Sequence, residues 1–229
     1  MNDPYILHID TATEVCSVSL SKGADHLDSI ETPEPNQHAA KLTSFVEEIL
    51  ERHCLSSRDL AAVSVSMGPG SYTGLRIGVS TAKGLCYGLD IPLIGINTLE
   101  IMYAGYKNTY GQTEDTLYCP MIDARRMEVY MSIWNEEGKI ILPTTAKIIA
   151  EDSFIEYSEQ SLLLFGSGAH KFEELFDANP DITIDTRYVH SSRHMCHLSW
   201  QRFLAQNFKD LIYFEPFYLK EFVATTPKK

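Results

Sequence analysis

The sequence predicts an α/β protein made of two similar lobes, the second of them reduced. One observation is a change of hydrophobic period along the chain, from the alternation typical of strands to the spacing of amphipathic helices. The other is a repeat. The stretch HIDTATEVCSVSL begins at His8, and MIDARRMEVYMSIW begins at Met121. Each has Ile-Asp, a short polar loop, Glu-Val and an alternating strand, and similar elements follow in the same order. Duplication of one α/β unit is the favoured interpretation.

In the first half, strands alternate with helices that have one apolar face. A three-stranded meander, ended by Pro33 and Pro35, precedes the first helix. A fourth strand runs into a glycine-rich loop, after which Ser71 is a good N-cap for the second helix. A short buried strand and a third helix complete this half. The predicted strands cover residues 5–9, 15–21, 26–31, 61–67 and 92–95, and the predicted helices cover residues 36–53, 71–88 and 98–106.

The second half repeats the strands but has fewer helices. Gly, Asn and Thr accumulate over residues 105–115, which predicts the boundary between lobes. We therefore assign residues 1–105 to an N-terminal lobe and residues 106–229 to a smaller C-terminal lobe with a tail, of which residues 225–229 are predicted to be disordered. The predicted strands here cover residues 117–122, 128–134, 139–142 and 161–165, with one helix over residues 194–208.

Composition limits the kinds of function. The chain has 229 residues and a formal net charge of −12. Such an acidic surface repels a phosphate backbone, so we expect any RNA to be held through another protein. The five cysteines are scattered, and the first residues lack the positive charge of a signal peptide. No stretch approaches the roughly 18 apolar residues of a membrane span. We expect a cytoplasmic protein without contact to a membrane.

The main chemical motif is MGPGSYTGLRIG, from Met67 to Gly78. It stands between a strand and a helix, where free backbone N–H groups bind anions. Its spacing fits neither a P-loop nor the dinucleotide motif G-x-G-x-x-G, which requires glycine where this chain has Thr73. The phosphate-binding interpretation is therefore weak. Close approach of another backbone to the glycines is the second interpretation.

The helix after this loop carries two stripes. The apolar stripe fits the core of its own lobe, whereas the other stripe, Gly74, Gly78, Thr81 and Leu85, is mostly small. Each interior glycine costs about 0.8–1 kcal/mol relative to alanine, so a close neighbour should offset that cost. The neighbour is either the chain's own first helix or sheet, or a partner helix. If it is a partner helix, Gly78→Leu weakens partner binding while the lobe stays folded.

Four blocks of the sequence resemble the TsaB family, also called YeaZ. They are IDTATEVCSVSL, MGPGSYTGLRIGVSTAKGL, IDARRMEVY and EPFYLKEFVA, and their order and spacing match over most of the chain. The resemblance implies the actin-like ATPase (ASKHA) fold with two RNase-H-like lobes. It also implies a role in the machinery that places threonylcarbamoyl on N6 of adenosine in tRNA, giving t6A.

The resemblance further implies a non-catalytic scaffold rather than an enzyme. TsaB-like proteins bind and position the transferase TsaD, their paralogue, mainly through their first two helices, and TsaE supplies an ATPase. The tRNA would be met indirectly, through the complex, and a homodimer could use the same surface. The residues predicted at this partner interface are His38, Ala39, Leu42, Gly74, Gly78, Thr81 and Leu85.

Metal and nucleotide sites are disfavoured in this chain alone. TsaD-like enzymes hold a metal with His-x-x-x-His on the first helix, but here His38 is followed by Leu42 at the second position. Ala12 replaces the glycine of the phosphate-gripping turn in actin-like ATPases. We expect no cofactor in this chain, with room for ATP or ADP only at the interface with TsaD. The predicted vestigial nucleotide-binding residues are Asp10, Thr11, Gly68 and Gly70.

Other interpretations stay open at this point. A small actin-like ATPase or kinase, with its site in the cleft between the lobes, would need glycine turns where the chain has Ala12 and Ala124. Arg125 and Arg126 could face a phosphate or tRNA, although exposed arginines are usually solvated. The most metal-like cluster is formed by His190, His194, Cys196 and His197, although histidines without a metal are commoner on helix surfaces.

Overall fold

The computed structural model describes residues 3–32 and 38–219, which form two lobes, each around a five-stranded sheet. Pro33, Pro35, the start of the first predicted helix and the predicted disorder at residues 225–229 lie outside the described residues. The first lobe contains β1 (Tyr5–Asp10), β2 (Cys16–Lys22), β3 (Asp25–Thr32), α1 (His38–Arg52), β4 (Leu60–Gly68), α2 (Tyr72–Leu89), β5 (Leu93–Asn97) and α3 (Thr98–Tyr110). The rest of the chain contains β6 (Thr116–Asp123), β7 (Glu128–Trp134), β8 (Ile140–Ile148), β9 (Ser161–Phe165), α4 (Glu173–Phe176), β10 (Ile182–Asp185) and α5 (Cys196–Leu204).

The two sheets have the same topology, which confirms the predicted two RNase-H-like lobes. In the first sheet, β1 pairs antiparallel with β2 and parallel with β4, in the order β3-β2-β1-β4-β5. In the second sheet, β6 takes the place of β1, in the order β10-β9-β6-β7-β8 with the same strand directions. Because β1 and β4 are parallel neighbours, the hairpin loop after β1 lies beside the glycine loop after β4.

The second lobe is reduced, as predicted. The first lobe inserts α1 and α2, of 15 and 18 residues, between its strands. The corresponding connections of the second lobe contain only short 3-10 turns and the four-residue α4. The sequence does not predict α4 or β10, because both are too short to show a clear hydrophobic period. Among the helices of the described ranges, none has the length and apolar character needed to cross a membrane.

The helices that follow the fifth strand of each sheet cross between the lobes. From α3, Tyr103 and Tyr106 pack against Tyr118 and Phe165 of the second sheet. The turn Ser192–Met195 and α5 return to the first lobe, where Met195 joins a cluster with Ile6 and Ile94. The assignment of all residues after 105 to the C-terminal lobe is therefore wrong for this returning segment. The apolar face of this segment packs against β1 and β5. A hydrophobic period within the segment cannot show which strands it packs against.

The last described residues, 208–219, run along α2 without regular secondary structure, and we call them the terminal strap. The Lys209 N–H donates to the Leu93 carbonyl at 2.8 Å, and the Phe217 N–H donates to the Met67 carbonyl at 2.7 Å. Nζ of Lys83 donates to the Phe214 carbonyl at 2.8 Å. These hydrogen bonds to backbone atoms fix the strap, which explains why its sequence shows no hydrophobic period.

The cap of α2 gives a testable prediction about stability. Asp90 ends this helix with φ 55° and ψ 45°, and its N–H donates to the Cys86 carbonyl. This left-handed conformation is costly for a residue with a Cβ atom, and glycine adopts it freely. We expect Asp90→Gly to raise the free energy of unfolding by about 1 kcal/mol, or about 2–4 °C in Tm for a chain of this size.

Thermal unfolding with a matched control measures this effect. The control is Asp25→Gly, because Asp25 is an exposed aspartate in β3 without a positive φ. There the same substitution should lower Tm, since glycine loses more conformational entropy in a strand. A lower Tm for Asp90→Gly than for the unmodified chain would contradict the prediction.

Candidate functional site

The first residues of the hairpin loop between β1 and β2 are buried, whereas Glu14 near its end is exposed. Asp10, Thr11 and Ala12 are each 0% exposed. Oδ1 of Asp10 accepts a hydrogen bond from the Ala12 N–H at 3.0 Å, and its Oδ2 lies 2.7 Å from Nε2 of His190. His190 precedes the turn that returns to the first lobe. The carboxylate that the sequence placed at a phosphate site is therefore held by the chain's own imidazole.

The electrostatics of this pair keep Asp10 ionised. Burial alone would raise the pKa of Asp10, but the charge and hydrogen bond of His190 and the Ala12 N–H outweigh burial and lower it. The other ring nitrogen of His190 lies 3.3 Å from the hydroxyl of Tyr188, whose pKa burial raises well above its usual value. The imidazole thus lies between a carboxylate and a phenol. It has no serine or cysteine among its hydrogen-bond partners in the described chain that it could activate as a nucleophile.

The close approach predicted for the glycine-lined helix is made by this same loop. A Cβ atom at Gly70 would meet the Ala12 carbonyl, and one at Gly74 would meet the Thr11 carbonyl. A Cβ at Gly78 would meet the hydroxyl of Thr11, which donates to the Gly74 carbonyl at 2.7 Å. The neighbour of Gly74 and Gly78 is therefore the chain's own backbone and side chain. Their assignment to a partner interface is corrected on this ground.

Gly68 is closed off from the other side by the terminal strap. Its φ of +112° favours glycine, and a Cβ there would lie 2.6 Å from the Phe217 carbonyl oxygen. The structure thus brings together the four predicted vestigial nucleotide-binding residues, Asp10, Thr11, Gly68 and Gly70. Asp10, Thr11 and Gly68 are buried and Gly70 is half-buried. In this arrangement they offer a ligand almost no surface, and nucleotide binding by them stays a prediction.

Two further residues predicted at the partner interface hold α1 on the sheet instead. His38 is 7% exposed, and its Nε2 lies 3.0 Å from the Thr13 carbonyl oxygen. Leu42 is 1% exposed and belongs to the core beneath α1 and α2. Neither side chain presents a surface to a partner, so this part of the prediction is also corrected. The helical period already placed Leu42 on the apolar face, so its burial could have been inferred.

The surface that α2 leaves open consists of other residues. A Cβ at Gly84 or Gly88 would meet no heavy atom of the described residues within 4 Å. Thr73 and Ser80 are exposed as well, and Tyr87 is 83% exposed. We call these five residues the outer face of α2. They are separated by seven, four, three and one positions along the helix, and the exposed Arg76 lies between Thr73 and Ser80. The predicted interface residues that keep some exposure are Ala39, which is exposed, and Thr81 and Leu85, which are half-buried.

The hairpin loop of the second lobe repeats the turn of the first, but it is open. The Arg125 N–H donates to Oδ1 of Asp123 at 2.9 Å, as the Ala12 N–H does to Asp10. Asp123 is exposed and pairs with Nζ of Lys171 at 2.5 Å. The aspartate of this turn is therefore paired with a buried histidine in the first lobe and with a lysine at the surface in the second lobe.

A buried polar seam fastens the returning segment to the first sheet. The hydroxyl of Ser192 contacts those of Ser17, at 2.7 Å, and Ser19. His8 contacts the Ser21 hydroxyl through Nε2 at 2.8 Å and the Ser199 hydroxyl through Nδ1 at 3.1 Å. The serines of β2 alternate with apolar residues, a pattern typical of a strand with one face in water. Here the returning segment covers that face.

The four residues of the metal-like cluster are spread over different surroundings. His190 contacts Asp10, while His194 stacks on Tyr188 with ring centroids 6.0 Å apart. Cys196 is buried, whereas His197 is exposed. Within residues 3–32 and 38–219, no group of three or more His, Cys, Asp or Glu side chains is arranged to hold a metal ion.

Two RNase-H-like lobes, each with a hairpin loop and a glycine-containing loop at one edge of its sheet, define the actin-like ATPase (ASKHA) class. A family model described as TsaD, tRNA N6-adenosine threonylcarbamoyltransferase, matches residues 33–220. The tRNA threonylcarbamoyladenosine biosynthesis protein TsaB of Buchnera aphidicola subsp. Acyrthosiphon pisum is 32% identical over 185 residues, which cover 80% of this chain and 82% of that protein. The chain belongs to the TsaB (YeaZ) family, as its sequence blocks indicated.

Two other relatives with the same protein name match a shorter stretch. TsaB of Escherichia coli (strain K12) is 38% identical over 132 residues, or 58% of this chain and 55% of that protein. TsaB of Bacillus subtilis (strain 168) is 32% identical over 136 residues, or 59% of this chain and 57% of that protein. The chain thus matches little more than half the length of these two relatives.

Two solved structures from Pseudomonas aeruginosa show the same fold. YeaZ is 23% identical with a TM-score of 0.79, covering 94% of this chain and 100% of its own. The other structure, of an uncharacterized protein with similarity to peptidase YEAZ, is 22% identical with a TM-score of 0.79, covering 95% of this chain and 100% of its own. At this level of identity, both similarities concern the fold alone.

The two kinds of glycine on α2 predict opposite effects of one substitution. Gly78→Ala would push a methyl group into the buried Thr11 hydroxyl, and we expect a net loss of about 1–2 kcal/mol in the free energy of unfolding. Gly84→Ala meets open space, so the higher helix propensity of alanine should add about 0.8–1 kcal/mol. Urea unfolding of both variants measures the difference. Equal stability of the two variants would contradict the placement of Thr11.

The buried histidines predict that acid destabilises the chain. Burial, and then the charge of His26, lower the pKa of His8 to about 3, and burial with the charges of His190 and Arg193 lowers that of His194 to about 4. An imidazole with a pKa of 6.5 in the unfolded chain then binds a proton on unfolding. Stability should be complete above pH 6.5 and fall below it, by up to about 1.4 kcal/mol per pH unit for each histidine.

Urea unfolding between pH 7 and pH 5 measures this slope. His8→Gln removes one of the two groups and should make the slope shallower by up to about 1.4 kcal/mol per pH unit. His197→Gln, at an exposed position of α5, serves as the matched control and should leave the slope unchanged. A free energy of unfolding that stays constant over this range in the unmodified chain would contradict the prediction.

Proposed function

We propose that this chain is a non-catalytic scaffold subunit in the biosynthesis of t6A in tRNA. It binds and positions a TsaD-type transferase, acts together with a TsaE-like ATPase, and does so in the cytoplasm. The family supports the pathway, since the relatives carry the name tRNA threonylcarbamoyladenosine biosynthesis protein. The shape of α2 supports the mode of action.

The observation that carries the proposal is the outer face of α2. Gly84 lies in the interior of the helix, where glycine costs about 0.8–1 kcal/mol relative to alanine. Gly74 and Gly78 are explained by the loop around Thr11, but nothing within the described chain approaches Gly84. A helix backbone from another protein, packed closely against Gly84, would account for its small size. The exposed Tyr87 one turn away is the kind of aromatic residue that anchors interfaces.

α1 extends this surface. Ala39, Ala40 and Thr43 are exposed on α1, and α1 packs beside α2. Together the two helices expose several small residues, with Lys41 and Arg76 exposed among them and Glu47 and Glu48 exposed farther along α1. A pair of helices from a partner of the same fold suits this shape, because small residues let helix axes come close. A homodimer through the same face would then compete with the transferase.

The closed loops support a role without catalysis. The residues at the place of the actin-like phosphate site are buried among the chain's own atoms, and Asp10 is paired with His190. The family model is described as a transferase, yet the second histidine of the TsaD metal pair is replaced by Leu42, a core residue. ATP or ADP would accordingly bind only where the partner completes a site, and tRNA would meet the complex rather than this chain alone.

The second candidate is a small actin-like ATPase or kinase, which the fold class favours. It requires that the hairpin loop around Asp10 opens to admit a nucleotide between the lobes. Calorimetric titration of the chain alone with ATP and Mg²⁺ separates the two candidates. Micromolar binding with turnover would favour the ATPase, whereas binding only after addition of the transferase would favour the scaffold.

Gly84→Leu is the variant that tests the scaffold interface. The bulky side chain would point into open space in the free chain, so its stability should not fall. In the complex it would separate the two helix backbones. We therefore expect a dissociation constant at least about tenfold higher for the TsaD-type transferase of the same organism. Gly78→Leu, which the sequence alone suggested, is unsuitable because it would disturb the loop around Thr11.

Light scattering on size-exclusion fractions and calorimetric titration provide the measurements. Gln201→Leu, at an exposed position of α5 away from α2, is the matched control and should bind the transferase like the unmodified chain. Normal binding by a folded Gly84→Leu chain would remove the outer face of α2 from the interface. The absence of any complex between the unmodified proteins, with and without ATP and the TsaE-like ATPase, would contradict the scaffold function itself.

A further inference from the structure

The hairpin loop between β6 and β7, residues 123–128, has a feature that the scaffold function does not use. We call it the arginine loop. Arg125 and Arg126 are adjacent, exposed, and both in the left-handed region, with φ 72° and φ 53°. This region is costly for residues with a Cβ atom. The equivalent loop of the first lobe makes the same turn at Asp10 without any residue of positive φ among residues 11–15.

The arginine loop is fixed by hydrogen bonds from several directions. The Ala124 N–H donates to the Glu128 carbonyl at 3.1 Å, and the Glu128 N–H donates to the Arg125 carbonyl at 3.2 Å. Nζ of Lys171 donates to the carboxylate of Asp123 at 2.5 Å and to the carbonyls of Arg126 and Glu128 at 2.7 and 2.6 Å. One lysine therefore ties both ends of the loop, and the two arginines extend from a rigid base.

The charges of these arginines are not neutralised by the chain. Lys171 pairs with Asp123, but within residues 3–32 and 38–219 neither Arg125 nor Arg126 has a carboxylate within 4.0 Å of its guanidinium. The sequence holds 31 acidic and 19 basic residues, and within the described ranges Arg125 and Arg126 are the one pair of Lys or Arg residues adjacent in sequence. Two adjacent free guanidinium groups on a rigid loop form a local site for an anion.

We infer that the arginine loop binds phosphate groups of an RNA backbone. The inference rests on the proposed function, because the substrate RNA named for the relatives is tRNA. A guanidinium group matches the geometry of a phosphate with two parallel hydrogen bonds, and Arg is preferred for nucleic-acid backbones for this reason. In an otherwise acidic chain, such a loop would fix where RNA touches the complex while the remaining surface repels it.

A free nucleotide fits this loop less well than an RNA backbone. In an actin-like site the nucleotide phosphates lie between the hairpin loops of both lobes. Here Asp10, Thr11 and Ala12 of the first lobe are 0% exposed, and the carbonyl of Phe217 covers Gly68. Only the loop of the second lobe is open, so its arginines face outward without an opposing half. A surface phosphate of a large polyanion needs no opposing half.

The test compares a double variant with a control of equal charge. Arg125→Asn with Arg126→Asn removes both charges and keeps a residue type that tolerates left-handed backbone. Arg58→Asn with Lys139→Asn removes the same charge at two other exposed positions. Fluorescence anisotropy with a labelled RNA hairpin carrying a tRNA anticodon arm is recorded at several KCl concentrations from 50 mM upward. The full chain is used alone and mixed with the TsaD-type transferase, and size exclusion reports separately whether the complex forms.

We expect the arginine-loop variant to bind the hairpin about tenfold more weakly than the control. The slope of log K against log salt should be shallower by about 1.4, the value for two phosphate contacts on a single strand. Equal RNA affinity of variant and control would overturn the inference, as would the absence of RNA binding by chain and mixture at 50 mM KCl. ATP and pyrophosphate are titrated in parallel. Loss of their binding in the variant, with RNA binding intact, would assign the loop to a free phosphate and overturn the RNA inference.

The proposed function and this inference can fail independently. Suppose that size exclusion shows no complex, but the variant chain alone binds RNA more weakly than the control. The inference about the arginine loop is then supported, and the scaffold function is contradicted. If the complex forms and its RNA affinity is the same for variant and control, the scaffold function is supported and the inference about the arginine loop is contradicted. Circular dichroism of both double variants establishes that each is folded.

Discussion

The fold depends on one buried contact, between Asp10 and His190. Asp10 ends the central strand of the first sheet and is 0% exposed, and an ionised carboxylate in such a place requires a partner. The partner comes from a segment that follows the last strand of the second lobe. The chain therefore has to return to the first lobe, where Ser192 and Ser199 meet the polar seam and Met195 meets the apolar cluster. Each lobe is completed by chain that the other lobe delivers.

The same contact explains why the glycine loop contains glycine at its close-packed positions. With Asp10 turned toward His190, the residues after it lie against α2, and glycine is needed at Gly70 and Gly74 to admit their carbonyl groups. The loop after Asp10 and the glycine loop pack against each other, and the terminal strap covers Gly68. Gly70 and Gly74 thus serve packing inside the lobe, whereas the outer face of α2 remains exposed.

The sequence predicted the two sheets because strand alternation and the repeated Ile-Asp motif are local patterns. It predicted α1 and α2, including the N-cap at Ser71, whose side chain accepts a hydrogen bond from the Gly74 N–H. It did not predict that Gly74 and Gly78 meet Thr11, because helical period identifies a stripe but not the atoms that approach it. It also did not predict the cover over Ser17 and Ser19, since their partners lie far along the chain. Non-local pairing of polar residues leaves no period.

The two lobes share one architecture but expose different parts of it. The hairpin loop of each lobe follows an aspartate, Asp10 or Asp123. In both, Oδ1 of the aspartate accepts a hydrogen bond from the backbone N–H two residues later. In the first lobe, long helices are inserted, and Asp10, Thr11 and Ala12 of the loop are buried. In the second lobe the helices are short, and the loop remains exposed with Arg125 and Arg126. With one loop closed and the other open, the proposed protein contact and the inferred phosphate contact would lie on different lobes. In that proposal the packing of α3 and α5 across the lobes would set the relative position of the two surfaces, since residues of both helices contact the opposite sheet.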